Sequence, residues 1–177
     1  QVESTFVVDL LTGLGLIDPA LADQAVRYMQ AWPNTYPPDG ILIPAALDLV
    51  KKPDIRQLAA FEHLRDACLI PLRQRIAEPL EPPRDWTRPS TVSCKCAHCA
   101  ELSRFLADPN RKVWDFRSPQ ANRNHVSESI RRNQCDLDCE TSTKGRPYGL
   151  VCTKNQASYE RRVAQRKKDL KEEAQFK

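Results

Sequence analysis

Glycine is scarce in this sequence, and no run of apolar residues is long. Five Gly set against 14 Pro among 177 residues imply many fixed boundaries and few flexible hinges. No apolar stretch approaches the ~20 residues of a bilayer-spanning helix, and no signal-peptide pattern opens the chain. A helical membrane protein and a secreted disulfide scaffold are thereby disfavoured, and an intracellular (cytoplasmic or nuclear) setting is expected. Catalytic signatures are also missing. Gly13-Leu14-Gly15 lacks the strand–turn–helix context and the Lys-Ser/Thr of a phosphate loop. No Ser or Cys occupies a recognisable nucleophile turn. No catalytic residue is assigned, and the chain is read as a non-enzyme. The first residue is Gln1 and helical sequence starts almost at once, so the sequence reads as a protein fragment, the C-terminal part of a larger protein.

The charge is uneven. Residues 1–85 carry 8 Lys+Arg against 12 Asp+Glu, whereas residues 86–177 carry 19 against 11, within an overall net charge of +4. A basic back half points to an acidic partner, nucleic acid or an acidic protein surface.

The pattern predicts a mainly α fold with a small β-hairpin. Residues 1–80 form an N-terminal helical bundle or the end of a helical array. A first helix through Phe6–Leu11 ends near Gly13 and Gly15, and Asp18-Pro19 restarts the chain as N-cap and first helical position. A third helix covers about Ile41 to Val50, and a fourth opens near Asp54, carries Leu58, Phe61, Leu64 and Cys68 on one face, and is kinked or split by Pro71. Cys68 is read as a core residue and His63 as a surface or partly buried one. Residues 81–90 form a Pro-rich linker whose Trp86 docks on a flanking module.

Six of the seven cysteines fall between Cys94 and Cys152, which marks residues 91–154 as a zinc-stabilised α+β module, zinc-finger-like in its ligand spacing. Thiolate and imidazole are the preferred donors of structural zinc, and Cys96-x2-Cys99 is the spacing with which a tight turn offers two thiolates to one ion. A helix follows, with Leu102, Phe105 and Leu106 inward. Trp114 and Phe116 then alternate in an extended segment, and Pro119 starts a helix reaching about Arg132. That helix supplies His125 as third ligand. Asp136–Ser142 and Tyr148–Lys154 flank Lys144-Gly145 as a hairpin. Cys139 in its first strand is the preferred fourth ligand, with Cys135 as the alternative. Cys94 is placed as a spectator or outer-shell thiol, and His98 as a surface residue. Four protein ligands leave no place for water, so the zinc is structural.

Residues 155–177 read as a basic C-terminal helix with a thin apolar seam at Tyr159, Val163, Arg166 and Leu170. Arg161, Arg162, Arg166, Lys167 and Lys168 on it, extended by Lys144, Arg146 and Lys154 from the hairpin, make the candidate partner-binding surface of an interaction module.

The run Cys96-x2-Cys99-x2-Leu102-x2-Phe105-Leu106-x2-Pro109, Arg123-x-His125, Thr141, Gly145-x-Pro147 and Leu150-Val151-Cys152-Thr153-Lys154 resembles a known pattern. It is that of the C-terminal region of large, mostly uncharacterised fungal and bacterial proteins of the 2-oxoglutarate/Fe(II) oxygenase family. The likeness covers about 60 residues, with a weaker match in the helical segment before them. In those relatives a further Cys or His precedes the hairpin, which implies Cys96, Cys99, His125 and Cys139 as ligands. Iron chemistry would need a His-x-Asp/Glu pair. His63, His98 and His125 do not form one, so the resemblance implies an appendage packing on an oxygenase domain outside this chain.

Overall fold

A computed structural model describes residues 2–177. The described chain is mainly helical, with one small antiparallel sheet. It divides into two compact units: residues up to Pro79 together with Ala164–Lys177, and Leu80–Val163.

The first unit contains α1 (Ser4–Ile17), α2 (Pro19–Ala31), a π-turn at Pro38–Leu42 that runs into α3 (Ile43–Leu49), the short α4 (Pro53–Arg56) and α5 (Ala59–Ala77). The Asp18 side chain accepts the Ala20 N–H at 2.9 Å, and Pro19 occupies the first position of α2, as expected. Val7 and Leu11 of α1, Val26 and Met29 of α2, Ile43 and Leu49 of α3, and Phe61, Leu64 and Leu72 of α5 form the core. Each such side chain contributes about 1.5–3 kcal/mol of hydrophobic stabilisation. Cys68 lies in this core, and burial pushes its thiol up to about 12. His63 is half exposed and pairs with Asp23, whose carboxyl is held below the usual range by that contact.

Three helix readings differ from expectation. The fourth helix, expected to run on from near Asp54 through Leu58, is broken after Arg56 into α4 and α5, with Leu58 the extended N-cap of α5. α1 continues past Gly13 and Gly15 to Ile17. Gly15 serves packing rather than termination, because a Cβ there would stand 2.6 Å from Leu58 Cδ1. α5 also continues through Pro71 without splitting. Packing of Phe61, Leu64, Cys68, Leu69 and Leu72 on one face outweighs the single hydrogen bond that proline removes.

The second unit comprises α6 (Ala97–Ala107), β1 (Val113–Arg117), α7 (Gln120–Arg132), β2 (Leu137–Ser142) and β3 (Gly149–Lys154). The expected hairpin is present as β2–β3, joined through Gly145 at φ 83°, and β1 adds to it in the order β1-β3-β2. One sheet face sets Trp114 opposite Cys152 and Phe116 opposite Leu150, and these residues pack with Leu102, Phe105 and Leu106 of α6 and Val126 and Ile130 of α7. Trp86 docks within this unit: its N–H donates to the Pro109 carbonyl at 3.0 Å, and Arg88 and Lys112 lie against its ring.

The last helix is α8 (Ala157–Gln175), whose residues from Ala164 onward belong to the first unit. Its expected apolar seam is not what it buries. Val163 and Leu170 are 40% and 48% exposed, whereas Asp169, and Phe176 just past the helix, are buried. Asp169 accepts from Arg75 Nε and Nη2, both at 2.8 Å, and from Gln165 Nε2 at 2.7 Å, so a polar clamp replaces the seam.

Candidate metal centre

The centre is assembled from three local elements. Residues 91–95 lack regular structure and lead into α6, where Cys96 is the N-cap. Cys99 lies in the first turn of α6, buried beneath the site. His125 projects from α7, whose Val126, Ser129 and Ile130 face the core. His125 Nε2 lies 3.3 Å from Cys96 Sγ, 3.3 Å from Cys99 Sγ and 3.5 Å from Cys94 Sγ. The four donor atoms all fall within 4.8 Å of one another.

Those distances fit a metal. Bond lengths of about 2.3 Å to sulfur and about 2.0 Å to nitrogen, at tetrahedral angles, put the nitrogen about 3.5 Å from each sulfur. Three sulfurs and one imidazole nitrogen gathered at this spacing can hold a metal ion. The N–H of Cys99 donates to Cys96 Sγ at 3.4 Å. That bond, with contributions from Cys94, Cys99 and His125, draws the Cys96 thiol down to about 6, whereas burial pushes Cys99 up to about 11. Cys96 also sits at the positive end of α6, where a thiolate is favoured. Behind the site, the Ser129 hydroxyl lies 3.4 Å from Cys99 Sγ and supports its orientation.

The structure unites Cys96, Cys99 and His125 of the expected set, but the fourth corner is Cys94. Cys139 lies on β2 directly opposite Cys152 of β3, their sulfurs 3.1 Å apart, so strand pairing commits it to another contact. Cys135 is buried ahead of the same strand, and that burial raises its thiol. A signal for Cys94 was present in the sequence: residues i and i+2 of an extended segment project to the same side, so Cys-x-Cys before a helix can deliver both thiols. His98 is outside the cluster, edge-on to Phe116 with ring centroids 5.3 Å apart.

The basic candidates separate in the same way. Lys144, Arg146, Arg161, Arg162, Lys167 and Lys168 are exposed. Lys154 is not a surface residue: it is 2% exposed, donates to the Asp108 carbonyl at 2.7 Å and lies over the Phe105 ring. Its desolvation lowers its pKa. Arg166 is engaged by the carbonyls of Ile76, in the last turn of α5, and of Glu78, its C-cap, which gives it a tethering role in place of a free one.

Among the described residues no helix is long and apolar enough to cross a membrane. No family model, curated protein or solved structure matches the chain.

Proposed function

We propose that this chain is a non-catalytic binding module whose second unit is organised by one structural zinc ion held by Cys94, Cys96, Cys99 and His125. The convergence of three sulfurs on His125 Nε2 at 3.3–3.5 Å carries this reading. Soft thiolate donors with one imidazole favour zinc over magnesium, calcium or manganese. Four protein ligands fill a tetrahedral shell, which supports a scaffold role over a catalytic one. The zinc would tie the N-terminus of α6 to α7, and so fix the helices that cover the sheet.

The partner is acidic, nucleic acid or an acidic protein, because the back half is strongly basic and Lys144, Arg146, Arg161, Lys167 and Lys168 face solvent. A second reading is an appendage seated on an oxygenase-type domain of a parent protein. On that reading the exposed Leu16 and Ile17 (75% and 80%) at the end of α1 would belong to the docking contact.

Elemental analysis of the purified chain tests the metal. About one zinc per chain is expected, and a strong chelator should melt the second unit before the first. A metal-free chain whose second unit stays folded would overturn the proposal.

A further inference from the structure

On the second unit, the β2–β3 loop and the start of α7 enclose an open cleft of about 230 Å³, lined in part by Ser118, Arg123, Arg146 and Tyr148. No carboxylate lines it. Arg123 lines this cleft, and its Nε is buried without a hydrogen-bond partner, alone in this respect among the described side chains. An unpaired buried guanidinium nitrogen is costly and calls for an acceptor. The Arg123 guanidinium also lies 5.7 Å from the centre of the Tyr148 ring, which is 38% exposed. Arg146 lines the same cleft and is exposed.

The backbone adds donors. α7 is 13 residues long, and its N-cap, Pro119, offers no capping side chain. The first N–H groups of the helix, at Gln120 and Ala121, therefore point outward without an intrahelical acceptor. Two guanidinium groups and a helix N-terminus around one cleft make an oxyanion site. Beside it, the Tyr148 ring carries Arg123 over one face and is 38% exposed, so its remaining exposed surface suits an unpaired base, and a cleft open to solvent lets a strand enter and leave.

We propose that this cleft binds single-stranded nucleic acid, with a backbone phosphate between Arg123 and Arg146 and an adjacent base stacked on Tyr148. The inference rests on the reading of the chain as a binding module and assigns that module's ligand. It predicts that the cleft, rather than α8, provides the principal contact.

The test is fluorescence anisotropy of the zinc-loaded full chain with a labelled oligothymidylate of about 15 nucleotides, at about 50 and 200 mM salt. Binding should weaken steeply with salt. Arg146→Glu should weaken it by about tenfold or more. Tyr148→Ser should weaken it by roughly five- to tenfold, and Tyr148→Phe should restore it. Both positions are exposed and outside the metal shell, so retained zinc content and circular dichroism show that the variants are folded. No binding at the lower salt by a zinc-loaded chain overturns this inference and leaves the metal reading standing. Unchanged affinity in Arg146→Glu and Tyr148→Ser overturns it, as does loss of binding in Lys167→Glu/Lys168→Glu alone. Preference for a phosphoserine peptide over the oligonucleotide also overturns it.

Discussion

Cys139 and Cys152 face each other across β2 and β3 with their sulfurs 3.1 Å apart. The hydrogen bond shared by the two thiols lowers the Cys139 pKa and raises that of Cys152. Cys152 is fully buried while Cys139 is partly exposed. With the metal shell occupied, the first thiol to react with iodoacetamide should be Cys139, well ahead of Cys152 and Cys68. Peptide mass mapping over a time course reads the order. Equal rates at Cys139 and Cys68 would contradict the pairing.

The ligand set has its own test. Cys94→Ser, Cys96→Ser, Cys99→Ser and His125→Ala should each leave the chain unable to retain stoichiometric zinc through dialysis against a weak chelator, because each opens a tetrahedral shell. Cys135→Ser and Cys139→Ser should keep it. Ser129→Ala removes only a support of Cys99 and should weaken zinc affinity by about tenfold. Zinc retained in Cys94→Ser but lost in Cys139→Ser would reverse the assignment of the fourth ligand.

Much of this centre was legible in the sequence, and the reason that Cys94 rather than Cys139 completes the cluster is physical. Cys-x2-Cys and a helix-borne His are local signals, and the structure places Cys96, Cys99 and His125 together. The choice between Cys94 and Cys139 depends on register. Only once Cys139 is known to sit opposite Cys152 is it drawn away from α6. The hairpin was legible from its turn and flanking strands. The pairing of β1 with β3 was not, since nothing local in Val113–Arg117 selects a partner strand. In α8 the spacing of Val163 and Leu170 suggested a buried stripe, but Asp169 is buried instead because Arg75 meets it. An ion pair separated by 94 residues leaves no trace in helical periodicity.

Gly13 and Gly15, two residues apart on α1, should respond oppositely to substitution. A Cβ on Gly13 meets nothing within 4 Å. Gly13→Ala should therefore stabilise the first unit by about 0.5–1 kcal/mol through helix propensity. A side chain on Gly15 collides with Leu58 and crowds Ile55. Gly15→Val should destabilise by about 1–3 kcal/mol. Chemical denaturation of the two variants reads both values, and a stabilised Gly15→Val would show that α1 packs more loosely against Ile55 and Leu58 than described.

Asp169 gives the first unit a pH dependence. Its carboxylate is fully buried and bonded by Arg75, which also reaches Asp39 at 2.9 Å. Arg75 foremost, and then Gln165, hold the Asp169 carboxyl below the usual carboxylate range. A carboxylate whose pKa is depressed on folding contributes fully above its unfolded value, about 3.9, and that contribution is lost as the pH falls through the folded value. At neutral pH, Asp169→Asn should cost about 3 kcal/mol, the lower end for breaking a buried pair, because Arg75 keeps Asp39 and some access to water. As the pH falls below about 4 and through the depressed folded-state value, the wild-type advantage should shrink towards zero. Urea unfolding of both proteins at neutral and acidic pH, followed by a probe in the first unit, reads the difference. A gap that stays constant on acidification would mean that Asp169 contributes through packing rather than through its charge.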